Sequence, residues 1–391
     1  MSTQLPLTGI HSYEHYVSDL ARAEAFYTQK LGFKRIGAAT SAASEVDGME
    51  RLVLAGGPQI HVILSKPIKD WSVAANYLKM HPEGIGFLNF RVSSVDQAVA
   101  YLKPRGASFL YAPQVTTDSH GTLKQVAIAT ALDDVNIRLI EDAGYRGFGP
   151  AFKLDQEPGS YTSPLGFINV DHFTCNVRTL QPLTAFYRDV LGFEKFWEIE
   201  FHTNDVNPNL PVGSGLYSDV YWHPASNIKF ANNEPIAPHY RNSQIDIYCR
   251  DNRGSGVQHV AFRVNNIMNT VTTMQHSGCN FLASTPSYYE RMPARLQRSG
   301  FTGTIREDVK ALAKQHILVD ASAKGYLLQI FSHELARQFQ DREAGPLFFE
   351  VIQREGDEGF GGGNFRALFE TIEVDQIAMH KVAAKLPLEL I

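Results

Sequence analysis

Residues 25–33 read AFYTQKLGF and residues 185–193 read AFYRDVLGF, with A, F, Y, L, G and F at identical spacing. A repeat of this kind fixes an architecture before any single element is assigned, because each copy must build the same supersecondary unit. Upstream of each copy lies a strand-like run, Ile10 to Val17 (IHSYEHYV) and Ile168 to Val177 (INVDHFTCNV). Each carries a histidine six residues after a glycine, His15 after Gly9 and His172 after Gly166. Downstream, GIGFLNFRV (Gly84 to Val92) matches GVQHVAFRV (Gly256 to Val264), and helical segments are expected near Val95 to Leu102 and Ile267 to His276. Each half closes with another strand, NIRLIED from Asn136 and FFEVIQR from Phe348. The order of strand, helix and several strands thus occurs twice per half, giving an α+β chain of four βαβββ modules in two repeated halves. The expected division is an N-terminal domain over 1–154, a linker over 155–165 rich in Pro, Gly and Ser, and a C-terminal domain over 166–391.

With 391 residues, 44% of them apolar, the chain can bury ample core. A formal charge of −5 shows no bias toward phosphate backbones or anionic lipid, so neither nucleic acid nor a membrane is expected as a partner. Three scattered cysteines, Cys175, Cys249 and Cys279, make neither a disulfide framework nor a CxxC zinc site and fit a reducing compartment. The N-terminal run MSTQLPLTGIHSYEHY lacks the basic and apolar regions of a signal peptide, and a cytoplasmic location is expected.

The two halves differ in an informative way. In the second, the strand positions hold His172, His259 and Glu350; in the first, the positions matched to them are His15, Phe87 and Arg138. Taken singly, a strand histidine is more often a hydrogen-bonded core residue than a ligand. Joint placement in equivalent strands of a repeat points instead to a metal, and two imidazoles with one carboxylate are the ligand set of the facial-triad Fe(II) oxygenases. Mn, Zn and Ni are the alternative ions. Glu350 strengthens the case, because a lone carboxylate inside the apolar strand LFFEVI needs a cation or another partner. Beyond that strand, the glycine-rich stretch Gly359 to Gly363 is expected to bend the backbone sharply, Gly361, Gly362 and Gly363 to act as a hinge, Asn364 to cap a helix, and Phe365, Leu368, Phe369 and Ile372 to form the apolar face of a lid.

Taken together these residues carry a family resemblance. The motifs VDHFTCNV, SQIDIY, GVQHVAF, PSYYERM, ILVDASAKGYLLQIF and FFEVIQREGDEGFGGGNFRALFE, spanning most of Gly166 to Glu373, resemble the 4-hydroxyphenylpyruvate dioxygenase family. That resemblance implies the vicinal oxygen chelate fold, the glyoxalase and bleomycin-resistance type, with paired βαβββ modules around the metal and a C-terminal lid helix. It implies Fe(II) held by His172, His259 and Glu350, and 4-hydroxyphenylpyruvate and O₂ as substrates. The implied catalytic polar set is Ser218, Asn233, Gln244, Gln258 and Gln329, and the implied substrate-binding set is Phe331, Phe360, Asn364 and Phe365. One departure concerns Ala231, which stands where the family has proline; the preceding YWHPASNIKF reads as an atypical strand.

The implied reaction is oxidative decarboxylation, ring hydroxylation and side-chain migration giving homogentisate, as in tyrosine and phenylalanine catabolism, in a homo-oligomer (dimer or tetramer). The alternatives are 4-hydroxymandelate synthase or another iron dioxygenase of the same fold; Phe331, where the former carries a smaller aliphatic residue, favours ring hydroxylation. No further histidine in the motifs offers the general base of an extradiol enzyme. An intact ligand set argues against a non-catalytic binding protein.

Overall fold

The computed structural model of the chain describes residues 4–202 and 214–364. In the first half the strands are β1 (Leu7–Tyr16), β2 (Lys34–Ala39), β3 (Met49–Gly57), β4 (Ile60–Pro67), β5 (Gly84–Val92), β6 (Gln114–Asp118), β7 (Gly121–Ala129), β8 (Asn136–Glu141) and β9 (Phe152–Leu154). In the second they are β10 (Phe167–Asn176), β11 (Glu194–His202), β12 (Gly215–His223), β13 (Ile228–Pro235), β14 (Gly256–Val264), β15 (Leu318–Ser322), β16 (Gly325–Phe331) and β17 (Phe348–Glu355). The sheets are ordered β6-β7-β8-β5-β1-β4-β3-β2-β9 and β11-β12-β13-β10-β14-β17-β16-β15. Reversed, the second order is the first without β9. The pairings repeat as well: β1–β4 and β5–β8 are parallel around an antiparallel β1–β5 seam, as are β10–β13 and β14–β17 around β10–β14.

The repeated AFY…LGF stretch is the helix that follows the opening strand. Leu20–Ala25 runs on through Phe26–Lys30, and Gln181–Ala185 through Phe186–Leu191. Both helices stop at a glycine in the left-handed region, Gly32 (φ 59°) and Gly192 (φ 69°), which explains why both copies carry it. The other expected helices occupy Val95–Leu102 and Ile267–His276, N-capped by Ser94 and Asn266.

The halves share one core. Tyr13 meets Phe173, Phe90 meets Phe230, Phe33 meets Phe262 and Phe26 stacks on Phe349, with ring centroids 5.7–6.4 Å apart. The faces turned away from this core differ. On the first sheet, Ile36, Val53, Ala55 and Ile63 are covered by Phe148, with Phe152, Leu154 and Tyr161 packed beside it. The corresponding face of the second sheet lines a cavity.

Strand registers correct one expected equivalence. His172 pairs with Ala261 across β10–β14, and Ser12 pairs with Asn89, the counterpart of Ala261, across β1–β5. Ser12, not His15, therefore occupies the position of His172. Counting from a glycine fails because Gly9 and Gly166 are not equivalent: at the common offset of the AFY copies Gly9 matches Asn169, and that offset carries the register shifts of one strand onto those of the other. His15 stands where the second half has Cys175; it packs edge-on against Tyr27, and burial lowers its pKa to about 3. Phe87 and Arg138 do match His259 and Glu350. The Arg138 guanidinium lies 4.4 Å over Phe87 and donates to Asn89 Oδ1 (3.0 Å) and Glu14 Oε2 (3.4 Å), so the first half places a built-in cation where the second has a carboxylate.

A second correction concerns YWHPASNIKF, which is no single strand. β12 ends at His223, residues 224–227 turn with Asn227 at φ 55°, and β13 begins at Ile228. Asn tolerates that left-handed conformation better than most residues, which suits it to the turn.

Candidate metal centre

Three adjacent strands bring His172, His259 and Glu350 together. Ala261 on β14 faces His172 on β10 and Glu350 on β17, while His259, two residues from Ala261, projects from the same face. The small Ala261 side chain leaves the space between the two flanking ligands open. All three are buried, and one donor atom from each lies within 4.8 Å of the others. Glu350 Oε2 is 3.3 Å from His172 Nε2 and 3.2 Å from His259 Nε2.

The surrounding bonds orient these donors. His172 Nδ1 donates to Asp171 Oδ1 (2.9 Å) and His259 Nδ1 to Gln258 Oε1 (3.0 Å), so each ring keeps its Nε2 lone pair for the centre. Gln329 Nε2 donates to Glu350 Oε1 (3.0 Å), leaving Oε2 directed at the histidines. Burial raises the Glu350 carboxyl, but the His172 and His259 rings outweigh it and hold the pKa at about 2. The rings respond oppositely. For His172 burial is offset by Glu350 and Asp171, with a net rise; for His259 burial prevails and the pKa falls. Among the described residues, His259 Nε2 is buried without a hydrogen-bond partner. A divalent cation fits this set, since it would take up that orphaned nitrogen and the excess negative charge together.

Asp171 extends the network. Its carboxylate receives Arg354 Nε (2.8 Å) and Nη2 (2.7 Å), a bidentate pair deep inside the protein. Arg354 Nη1 also donates to the carbonyls of Asp357 (3.1 Å) and Gly359 (2.6 Å), at the start of the glycine-rich loop.

The wall of the cavity beside the donors includes Asn233, Gln244, Gln258 and Gln329 together with Phe331, Phe348 and Phe360. Phe348 stacks on His259 at 4.8 Å, and Phe360 meets His172 edge-on at 4.9 Å. Ala231, at the expected proline position, also lines it. Ser218 sits on β12 opposite Asn233, fully buried; its hydroxyl, Asn233 Oδ1 and Gln244 Nε2 have no hydrogen-bond partner among the described residues. Asn364 stands behind the wall, its Nδ2 donating to Gln329 Oε1 (2.9 Å) and its Oδ1 accepting from Tyr288 OH (2.5 Å).

Asn364 is also no N-cap. Gly362 and Gly363 already have helical backbone before it, and its side chain is committed to Gln329 and Tyr288. The glycines form a close-approach surface. A Cβ on Gly361 (φ 66°) would lie 2.0 Å from Gln329 Oε1, and one on Gly363 2.7 Å from Asp320 Oδ1. Phe365 and the lid helix expected from it lie outside the described residues.

Sequence reasoning missed Asp171, Arg354 and Tyr288. The signal for the first two was present: like Glu350, each is a charge inside an apolar strand, in NVDHF and VIQRE.

The comparisons agree with this architecture. The model of the Glyoxalase/Bleomycin resistance protein/Dioxygenase superfamily matches residues 9–134 and 169–292, one stretch in each half. The 4-hydroxyphenylpyruvate dioxygenase of Caenorhabditis elegans is 35% identical over 327 residues, covering 81% of this chain and 79% of that protein. That of Dictyostelium discoideum is 30% identical, covering 95% and 98%. Among solved structures, a mutant 4-hydroxymandelate synthase from Streptomyces coelicolor superposes with a TM-score of 0.78 at 23% identity, covering 95% of this chain and 99% of that one, and so shares the fold. Repeat, ligand geometry and sequence likeness over most of the chain converge, and the chain belongs to the 4-hydroxyphenylpyruvate dioxygenase family within that superfamily.

Proposed function

We propose that the chain converts 4-hydroxyphenylpyruvate and O₂ to homogentisate and CO₂, using one Fe(II) held by His172, His259 and Glu350. The observation that carries this reading is the buried cluster of three donors opening onto a cavity walled by aromatic rings and neutral amides. Bound Fe(II) supplies positions for the 2-oxo acid and O₂ and the electrons for oxygen activation.

The protein supplies orientation and exclusion of water. Phe331, Phe348 and Phe360 offer ring faces and edges to an aromatic substrate and keep bulk water from the centre. Ser218, Asn233 and Gln244 have polar atoms without a partner among the described residues, and we assign them the substrate's polar groups. Gln258 and Gln329 act at one remove. Their bonds to His259 and Glu350 fix the ligands while their amides face the cavity without bringing a competing charge. Asn364 holds Gln329 in that pose.

The test is anaerobic reconstitution with Fe(II), addition of 4-hydroxyphenylpyruvate and oxygen, and identification of the product by mass and chromatography. Homogentisate is expected; hydroxymandelate or no product refutes the assignment. We further propose the division at 155–165 and a cytoplasmic location, which the three free, buried cysteines support. Self-association into a dimer or tetramer is proposed with them; exposed Val46, Ile68, Trp71, Val73 and Met80 supply apolar surface, and sedimentation tests it.

A further inference from the structure

Two separate sets of bonds tie residues 357–364 to the candidate ligands. On one side, Asp171 Oδ1 receives both His172 Nδ1 and Arg354 Nη2, while Arg354 Nη1 holds the carbonyls of Asp357 and Gly359. The guanidinium is fully buried, and its rigid fork meets a carboxylate and two carbonyls at once, which an ammonium group cannot do in the same geometry. On the other side, Glu350 is bonded to Gln329, Gln329 to Asn364, and Asn364 to Tyr288. Tyr288 OH in turn accepts from Arg295 Nη2 (2.6 Å) and from Val319 N (2.7 Å). Between the two arms, Gly361 lies against Gln329, and Gly363 N donates to Asp320 Oδ2 (2.8 Å).

We propose that Arg354 is a positioning residue that joins the seating of residues 357–364 and metal affinity at His172, His259 and Glu350 into one equilibrium, with Tyr288 anchoring the second arm. The inference rests on the metal reading above. If the segment leaves its seat, Arg354 Nη1 loses both acceptors and Gln329 loses its partner, so His172 and Glu350 lose their orientation together. Linkage makes the effect reciprocal: a metal that fixes the ligands must favour the seated segment by the same factor.

The experiment uses the full chain with Co(II) as the probe, measuring affinity by titration and amide hydrogen exchange by mass spectrometry. In the unmodified protein, Co(II) should slow exchange at 357–364. Arg354→Lys should weaken Co(II) binding about 10–100-fold, the range for ligand-orienting partners, and abolish the slowing at 357–359, while exchange in the distant β3–β4 hairpin stays unchanged. Tyr288→Phe, which removes only the bridging oxygen, should keep the slowing at 357–359 and lose it at 361–364. No Co(II) binding by the unmodified protein refutes the metal reading itself. Co(II) bound without slowing at 357–364, or with equal affinity in Arg354→Lys, overturns the coupling. Should Arg354→Lys not fold, Tyr288→Phe decides: slowing retained at 361–364 overturns the proposal.

Discussion

Gly361→Ala separates a glycine hinge from a glycine needed for close approach. A hinge would feel a methyl group about equally at Gly361 and Gly362, since both supply backbone freedom, whereas a close approach feels it only where another atom stands. Here the residue has φ 66°, and the added Cβ would lie 2.0 Å from Gln329 Oε1. The left-handed backbone costs an alanine about 1–2 kcal/mol. Displacing the Gln329 amide severs its bond to the Glu350 carboxylate, worth about 1.5–3 kcal/mol, and its bond to Asn364, worth about 1 kcal/mol. Together these give about 3.5–6 kcal/mol against the observed seating. Gly362→Ala is the control: its Cβ would approach Trp197 Cζ2 at 3.1 Å on a backbone without positive φ, and the expected cost is within about 1 kcal/mol. The assay is kcat/KM for 4-hydroxyphenylpyruvate, with circular dichroism to verify folding. If catalysis registers only the bond to Glu350, Gly361→Ala should lose about 10–100-fold, at 1.36 kcal/mol per decade, with Gly362→Ala near the unmodified value. Equal activity of the two variants refutes the reasoning.

Other outcomes follow from the same geometry. His172→Ala, His259→Ala and Glu350→Ala should each lose bound metal and turnover, whereas Ser12→Ala and His15→Ala should retain both; metal analysis of the purified variants decides. Phe331→Ile should divert part of the product toward hydroxymandelate with metal retained, read by chromatography; homogentisate alone at full rate would remove that residue from control of regiochemistry. Burial raises the Asp171 carboxyl, but Arg354 outweighs it and holds it well below the usual range. Its contribution to stability is therefore present above the unfolded value of about 4 and is lost as pH falls through the lower folded value. Asp171→Asn should cost about 3–5 kcal/mol at neutral pH by leaving Arg354 uncompensated. It should also show less further loss between pH 5 and 3 than the unmodified protein, measured by urea unfolding. An equal acid-side slope in both would refute this assignment.

The repeated halves, the helix bounds at Val95–Leu102 and Ile267–His276, and the strands of the three candidate ligands were all legible, because duplicated apolar patterns carry period and spacing directly. Register was not. Gly9 lies inside β1 whereas Gly166 precedes β10, so counting from the two glycines put His15 where Ser12 stands, although the bulges of the two strands coincide. The contact of the glycine run was hidden for a different reason: conformational freedom is a property of the residue, but contact is a property of the place, and only the folded chain puts Gln329 against Gly361. Tyr288 was silent because its partners are distant in sequence.

The seam between β10 and β14 has a consequence for assembly. His172 belongs to one βαβββ module, while His259 and Glu350 belong to the next, so neither module holds a complete ligand set. The centre is in effect a subunit-boundary site whose subunits are fused in one polypeptide. A cation bound there would act as a crosslink between modules as well as a reagent, strengthening their contact by its own binding energy. The first half has the same seam, but Arg138 supplies its positive charge covalently, so that boundary is held without any ion.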